Sequence, residues 1–258
     1  MATEAISVQY LSKLYATRDG GVAALDRISF SIEEGEFVAV VGPSGCGKST
    51  LLKILAGLLA PTDGSASLRG TRIQGPRRDI GVVFQAPVLF PWRTVLDNVM
   101  LPIDVQGQGR ERYLAAARDL LALVGLRDFE RRYPWELSGG MQQRVAITRA
   151  LIHDPAMLLM DEPFGALDAM TREHMNLELQ RIWMEKKKTV FFITHSIPEA
   201  VFLADRVLVM TPRPGRVVDD LRINLPRPRG LDAMTTPQFG EYTRHIRALF
   251  NVKGGLDA

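Results

Sequence analysis

The sequence has almost no cysteine: Cys46 is the single one among 258 residues. No intrachain disulfide can form, which fits a reducing compartment. Long hydrophobic runs are missing too. No uncharged apolar stretch approaches the roughly 18 residues that would span a bilayer, so at a membrane another chain would have to hold this one. Residues 1–10 lack a basic stretch followed by an apolar run, so no signal peptide is expected. Nor is there an excess of charge of one sign. With 32 basic and 29 acidic residues the net charge is +3, too little for the strongly basic face that nucleic acid needs. The one basic cluster, Lys186-Lys187-Lys188, closes an expected helix, where cations complement the helix dipole. No internal repeat or low-complexity tract is visible.

What remains is an ordinary globular balance, 46% hydrophobic and 24% charged, in a chain long enough to bury a core. Ile28, Phe30 and Ile32 alternate with polar residues, as in a half-buried strand. Residues 36–41 (EFVAVV) suit a strand buried on both faces. A helix is expected from Ser49 to near Gly57, where Pro61, Asp63 and Gly64 begin a turn region. Residues 65–84 read as a second strand group. From 93 to 124 the pattern is helical, with Tyr113, Ala117, Leu120, Leu121 and Val124 on one face and Gly125 at the end. Ser138 caps a further helix ending at Asp154-Pro155. Residues 157–160 and 189–193 are apolar strands, separated by a helix with Met175, Leu179 and Ile182 inward. Strands alternating with helices imply an α/β fold with a mainly parallel sheet. The strandless stretch at about 93–153 reads as a helical subdomain inserted into that core. The tail at about 226–258 ends in a helix with Phe239, Tyr242, Ile246 and Leu249 on one side.

Gly42-Pro43-Ser44-Gly45-Cys46-Gly47-Lys48-Ser49-Thr50 fits G-x-x-x-x-G-K-[ST], between a buried strand and a helix. The glycines let backbone N–H groups turn inward as an anion nest, and the helix start adds its positive end. Lys48 supplies a point charge for β- and γ-phosphates, and Ser49 a ligand for Mg²⁺. Cys46 occupies a free position of the pattern and reads as structural. The loop alone says only nucleotide.

A second strand, residues 157–160, delivers Asp161 and Glu162 to the sheet edge where such a loop sits. Asp161 can hold Mg²⁺ directly or through water, and Glu162 can orient or deprotonate an attacking water. Taken alone, two acids at a strand end are often only solvated; beside the phosphate loop they read as chemistry.

The stretch LSGGMQQR, with Ser138, Gly139, Gly140 and Met141 at a helix start, makes a second anion site without a lysine. A simple capped helix would also use Ser138. A second phosphate site is redundant for one nucleotide, and makes sense if it faces the ATP of a partner subunit. At this point the sequence resembles the ABC ATPase family, over almost the whole chain. The resemblance implies a P-loop NTPase core with an N-terminal antiparallel β subdomain and the helical insertion, as one ABC ATPase domain over 1–258. It implies ATP and Mg²⁺ as ligands. Gln85 in VFQAPVLFPW resembles the Q-loop glutamine, which touches Mg²⁺ and the attacking water. Asp168 in Gly165-Ala166-Leu167-Asp168 resembles the D-loop at a dimer interface. His195 in FFITHS resembles the switch histidine at the γ-phosphate, and Tyr15 fits the aromatic residue stacked on adenine, with Tyr10 nearby as the other choice.

Within the family, FPWRTVLDNV, DEPFGALDAMTREHMNLELQRIW and FFITHSIPEAVFLADRVLVMTPRPGRV resemble bacterial importers for nitrate, alkanesulfonates and taurine. Thr148 departs from the alanine common in that branch, and Trp135-Glu136 from its usual His-Gln pair. The branch implies a homodimer or paired ATPase subunit and an integral membrane permease. A solute-binding protein would be engaged indirectly, with the chain peripheral on the cytoplasmic face of the bacterial inner membrane. An exporter or lipoprotein-release motor is the alternative inside the family. A non-transport ABC protein is the other, though those acting on ribosomes usually carry two ATPase domains and those in repair long coiled coils.

Overall fold

The computed structural model describes residues 3–17 and 20–252; the remaining residues of the expected 1–258 domain and of its tail lie outside the described residues. The chain opens with β1 (Glu4–Thr17), β2 (Gly20–Glu33), β3 (Phe37–Val41), α1 (Lys48–Leu55), β4 (Asp63–Leu68) and β5 (Thr71–Arg72). It continues through β6 (Ile80–Val83), α2 (Val95–Val99), α3 (Leu101–Val105), α4 (Arg110–Leu123), α5 (Gly139–Leu151), β7 (Met157–Asp161) and α6 (Ala169–Lys186). It closes with β8 (Thr189–Ile193), α7 (Ile197–Leu203), β9 (Arg206–Met210), β10 (Val217–Arg222) and α8 (Pro237–Val252). Two compact units result, one holding the residues up to 77 and from 187 onward, the other residues 78–186.

The first unit carries an antiparallel sheet in the order β2-β1-β4-β5. Its register sets Ile6 against Ile32, Val8 against Phe30 and Leu11 against Ile28. That pairing accounts for the apolar alternation in β2, because one face of an antiparallel sheet lies on the core. The same unit holds β3 between β8 and β9, parallel to both, with β10 antiparallel beyond β9. Every residue of β3, β8 and β9 is buried, so these strands are continuous apolar runs rather than alternating ones. Phe30 of β2 stacks on Phe191 of β8, joining the first sheet to the second within this unit, and Phe37 lies against Phe192 between neighbouring strands of the second.

In the second unit β6 and β7 pair in parallel, Val83 opposite Met160, and the other elements are helical. The strand group expected at 65–84 is therefore not one group. Arg69 and Gly70 both adopt positive φ (50° and 74°), the backbone of a tight hairpin turn, and fold β5 back onto β4; β6 joins β7 in the other unit. The helical run expected at 93–124 is also divided. Pro102 sits in the first turn of α3, where its missing N–H costs nothing. Gly107 and Gly109 separate α3 from α4, with Gly107 at φ 66°. Among the described residues no strand lies between 84 and 156. Lys187 takes φ 49° directly after α6, so the lysine run marks a left-handed helix end.

The tail is bound into the first unit by two arginines. Arg229 is only 2% exposed. Its Nη1 donates to the carbonyls of Val201, Phe202 and Ala204 at 2.8, 2.9 and 2.8 Å, and its Nη2 to Leu225 O at 3.1 Å. The carbonyls of Val201 and Phe202 are in the last turn of α7 and that of Ala204 is at its C-cap; they have no partner inside the helix and lie at its negative end. Burial pulls the guanidinium down to about 10, still well above neutral pH, so the cation persists. Arg227 pairs with Asp205 at 2.8 Å and reaches Leu203 O. Phe239 and Ile246 of α8 are buried, as the one-sided apolar pattern requires. Replacing Arg229 by Met strips the partners from these buried carbonyls and is expected to destabilise the fold by about 2–4 kcal/mol. Urea unfolding measures this directly; an unchanged midpoint would contradict the capping role.

Candidate functional site

The phosphate loop follows β3 in the first unit. Gly45 and Gly47 take φ 74° and 104°, conformations that L side chains rarely adopt. A Cβ on Gly47 would stand 2.6 Å from Leu25 Cδ2 and 2.8 Å from Ala24 O. On Gly42 it would meet Cys46 Sγ at 2.9 Å and Met210 O at 3.0 Å. Lys48 opens α1 and is 5% exposed. Its Nζ donates to Gly42 O at 2.7 Å and Pro43 O at 3.1 Å, with Cys46 Sγ 3.8 Å away. The ammonium is thus held over the loop by two carbonyls and the Cys46 sulfur. Ser44, Gly45 and Ser49 are exposed, and Pro43 and Thr50 half-buried.

A second turn supports that loop from outside. Between β9 and β10, Gly215 donates to Ala24 O at 2.9 Å and accepts from Asp26 N at 3.0 Å. A Cβ there would fall 2.1 Å from Cys46 O, so only glycine allows the approach. Arg213 on this turn donates to Gly45 O at 3.3 Å, and Arg216 pairs with Asp26. Pro214-Gly215 is a turn signal by residue type; its packing on the phosphate loop is visible only in the structure.

His195 and Tyr15 belong to the same unit. β8 runs parallel to β3 with Ile193 opposite Val40, so His195 and Gly42 leave the sheet at one edge. His195 is exposed. Tyr15, half out of the surface, places its hydroxyl 3.3 Å from Thr50 Oγ1, and Lys13 lies over its ring at 5.4 Å. Tyr10 sits at a positive-φ position beside Gly64 and Ser29. Of the two tyrosines, only Tyr15 is brought to the start of α1.

The second unit gathers the other candidates. Asp161 ends β7, and Glu162 follows in a left-handed conformation, φ 45°, a backbone state uncommon outside glycine. Gly165 N donates to Glu162 O at 3.0 Å. Gln85 lies two residues beyond β6, and its Nε2 would stand 3.4 Å from a Cβ on Gly165. Gln85, Asp161 and Glu162 therefore share the edge where β6 and β7 end. Ser138 caps α5, its Oγ accepting from Met141 N at 3.3 Å. Ser138 and Gly139 are exposed. A Cβ on Gly139 would meet Leu167 Cδ2 at 3.6 Å, and one on Gly140 would meet Thr171 Cγ2 at 3.1 Å. Asp168 lies in that segment and accepts from Thr171 N at 3.0 Å and Thr171 Oγ1 at 2.6 Å. These bonds hold its carboxyl below the usual carboxylate range, the Thr171 hydroxyl contributing most.

Two residues on α5 were not singled out from the sequence. Arg149 donates to Pro87 O and Val88 O, both at 2.8 Å, and Gln143 to Phe84 O at 3.4 Å. The helix that carries the serine-glycine start thereby holds the segment bearing Gln85. Their side chains bond backbone, which no residue-type pattern reveals. The two departures from the importer branch have plain partners. Thr148 returns its hydroxyl to Arg144 O at 2.8 Å within the helix. Glu136 accepts from Tyr133 N at 2.7 Å, while Trp135 stacks on Tyr133 at 4.6 Å.

Residues 25–165, more than half of the chain, match the family described as ABC transporter. The chain belongs to the ABC transporter family. The taurine import ATP-binding protein TauB of Rhizobium johnstonii is 50% identical over 254 residues, 95% of this chain and 96% of that protein. The aliphatic sulfonates import ATP-binding protein SsuB of Bacillus cereus is 43% identical over 252 residues, 97% of each. Among solved structures, a dimeric bacterial ABC transporter cassette superposes with a TM-score of 0.75 at 35% identity, over 86% of this chain and all of that one. A post-hydrolysis state of that cassette, bound to ADP and Pi, gives 0.74 at 34% identity.

Cys46 offers a direct check on the packing of this ABC phosphate loop. It is fully buried, and burial pushes its thiol pKa up against the opposing influence of Lys48. The thiolate is the nucleophile, so a raised pKa lowers its fraction at any pH below that value. Alkylation of the folded chain at pH 8 should be at least about 10-fold slower than that of a free thiol, rising with pH and on unfolding. Labelling at the free-thiol rate would contradict the loop as described.

Proposed function

We propose that this chain is the ATP-binding and ATP-hydrolysing subunit of an ABC importer, driving uptake of a small solute through a separate membrane permease. One observation carries the reading. The chain has two exposed anion-receptive starts of helices: one has a buried lysine held over a glycine loop, the other a serine and two glycines with no lysine. The first suits the triphosphate of the chain's own nucleotide, the second that of a partner subunit. No helix among the described residues is long and apolar enough to cross a membrane, so the proposed seat is peripheral, on the cytoplasmic face of the bacterial inner membrane. The names of the relatives, taurine and aliphatic sulfonate import proteins, favour taurine or another sulfonate as the solute, with nitrate as the alternative within that importer branch. A solute-binding protein is engaged only indirectly, and nucleic acid is not a ligand.

In this reading Lys48 and the backbone of Gly42, Pro43, Ser44, Gly45, Cys46, Gly47, Ser49 and Thr50 hold the phosphates, and Tyr15 stacks on the adenine. Among the described residues no cluster of three or more His, Cys, Asp or Glu could hold a metal. Mg²⁺ does not require one, because it binds through one or two carboxylates together with substrate phosphates. The hard oxygen donors Ser49, Asp161 and Gln85 fit that ion, which would offset the charge of the phosphates. Glu162 takes the proton of the attacking water. His195 donates to the γ-phosphate as charge develops. Ser138, Gly139, Gly140 and Met141 close over the nucleotide of the other subunit, an identical copy or a paired ATPase, with Asp168 at the interface. Closure biases a two-state element that carries Gln85 and the helical segment toward the permease.

Glu162→Gln is expected to bind ATP normally and to lose roughly 10²–10⁴-fold in turnover; a rate near wild type removes Glu162 from the base role. Ser138→Arg is expected to leave ATP binding by the monomer intact and to abolish ATP-driven dimerisation. Light scattering that still shows a dimer with ATP would overturn the in-trans assignment.

A further inference from the structure

We propose that Thr194 and Glu199 form a hydrogen-bonded relay that positions His195 against the phosphate loop, making both of them positioning residues for ATP hydrolysis. The inference rests on the role proposed above for His195. In an ordinary capping box the acidic residue at the third helical position accepts directly from the backbone N–H of the capping residue. At the start of α7 the box is opened by one hydroxyl. Ser196 is the cap, and its Oγ accepts from Glu199 N at 3.3 Å. The Ser196 N–H donates instead to Thr194 Oγ1 at 3.0 Å, and that hydroxyl donates onward to Glu199 Oε2. The ring closes around His195, with one bonded residue on each side of it.

The ring is also anchored. Thr194 N donates to Val40 O at 3.2 Å, and Val40 lies two residues before Gly42, where the phosphate loop begins. Thr194 is 1% exposed and Glu199 4%, so water does not compete for these bonds. A buried hydroxyl that both accepts and donates has one rotamer that satisfies both partners. The backbone of an exposed histidine is thereby referenced to the strand that supplies the phosphate loop. A simple helix cap would need only Ser196 and Glu199; the threonine hydroxyl ties that cap to residue 194, whose backbone N–H bonds β3.

The test is a mutant cycle on ATP turnover and ATP affinity in the full-length chain. Thr194→Val keeps the shape and deletes the hydroxyl. It is expected to lower kcat roughly 10-fold, the factor carried by one hydrogen bond of ordinary net strength, with ATP affinity within about twofold of wild type. Thr194→Ser restores the hydroxyl and the rate, and Glu199→Gln, which still accepts from threonine, stays close to wild type. In a His195→Ala background Thr194→Val has no further effect, because residues acting through one another are not additive. An unchanged kcat for Thr194→Val overturns the relay. So does a full additional loss on top of an impaired His195→Ala, which leaves the histidine role standing. His195→Ala turning over at the wild-type rate removes that role, and the relay with it. Melting curves identify any variant that fails to fold. Should Thr194→Val be one, the cycle run with Glu199→Met, which deletes the acceptor alone, carries the same expected and overturning results.

Discussion

The structure depends on one steric constraint: the loop after β3 must turn back on itself in a space too small for side chains at Gly42 and Gly47. Gly45 and Gly47 supply the left-handed turns that allow this. Around Gly47 and Gly42 there is no space to relax. Cys46 fills the inside of the loop, Leu25 and Ala24 close on Gly47, and Gly215 lies so near Cys46 O that no side chain fits. The fully buried strands β3, β8 and β9 form the rigid floor beneath it. Packing therefore sets the shape of the loop, and preorganisation of this kind is where electrostatic catalysis draws its strength.

The second unit repeats the logic with different chemistry. There a strand end carries carboxylates instead of amides, and Glu162 is held in a left-handed state with its carbonyl bonded by Gly165. Strain of this kind persists where the surroundings over-determine it. One helix, α5, carries the exposed Ser138-Gly139 start and also bonds the backbone around Gln85 through Gln143 and Arg149. A shift of that helix must be felt at both places, which suits a machine in which nucleotide closure is to be transmitted onward.

Much of this was legible in the residues. The G-x-x-x-x-G-K-S pattern, the apolar strand ending in Asp161-Glu162 and the serine cap of α5 each follow from short-range rules of backbone conformation and burial, and the structure places them on those elements. What was not legible depends on distance in sequence. Residues 65–84 look like one group of strands, yet β5 and β6 pair in different sheets, because strand partners are chosen by the whole fold. Arg229 and Arg227 look like solvated charges in a proline-rich tail. Their burial on the carbonyls of α7 appears only once the tail is folded back. Thr194 and Glu199 look like strand and helix residues, and their joint hold on His195 needs the turn between them. Tyr15 was named from the sequence over Tyr10, and its contact with Thr50 appears only in the structure.

The central claim, that this ATPase works for a membrane permease, is tested most directly by what the chain holds in its native host. The tagged chain is recovered from gently solubilised membranes in the presence of ATP, and its partners are identified by mass spectrometry. The account predicts a multi-spanning permease. Recovery of ribosomal or DNA-repair proteins with no membrane partner would contradict it.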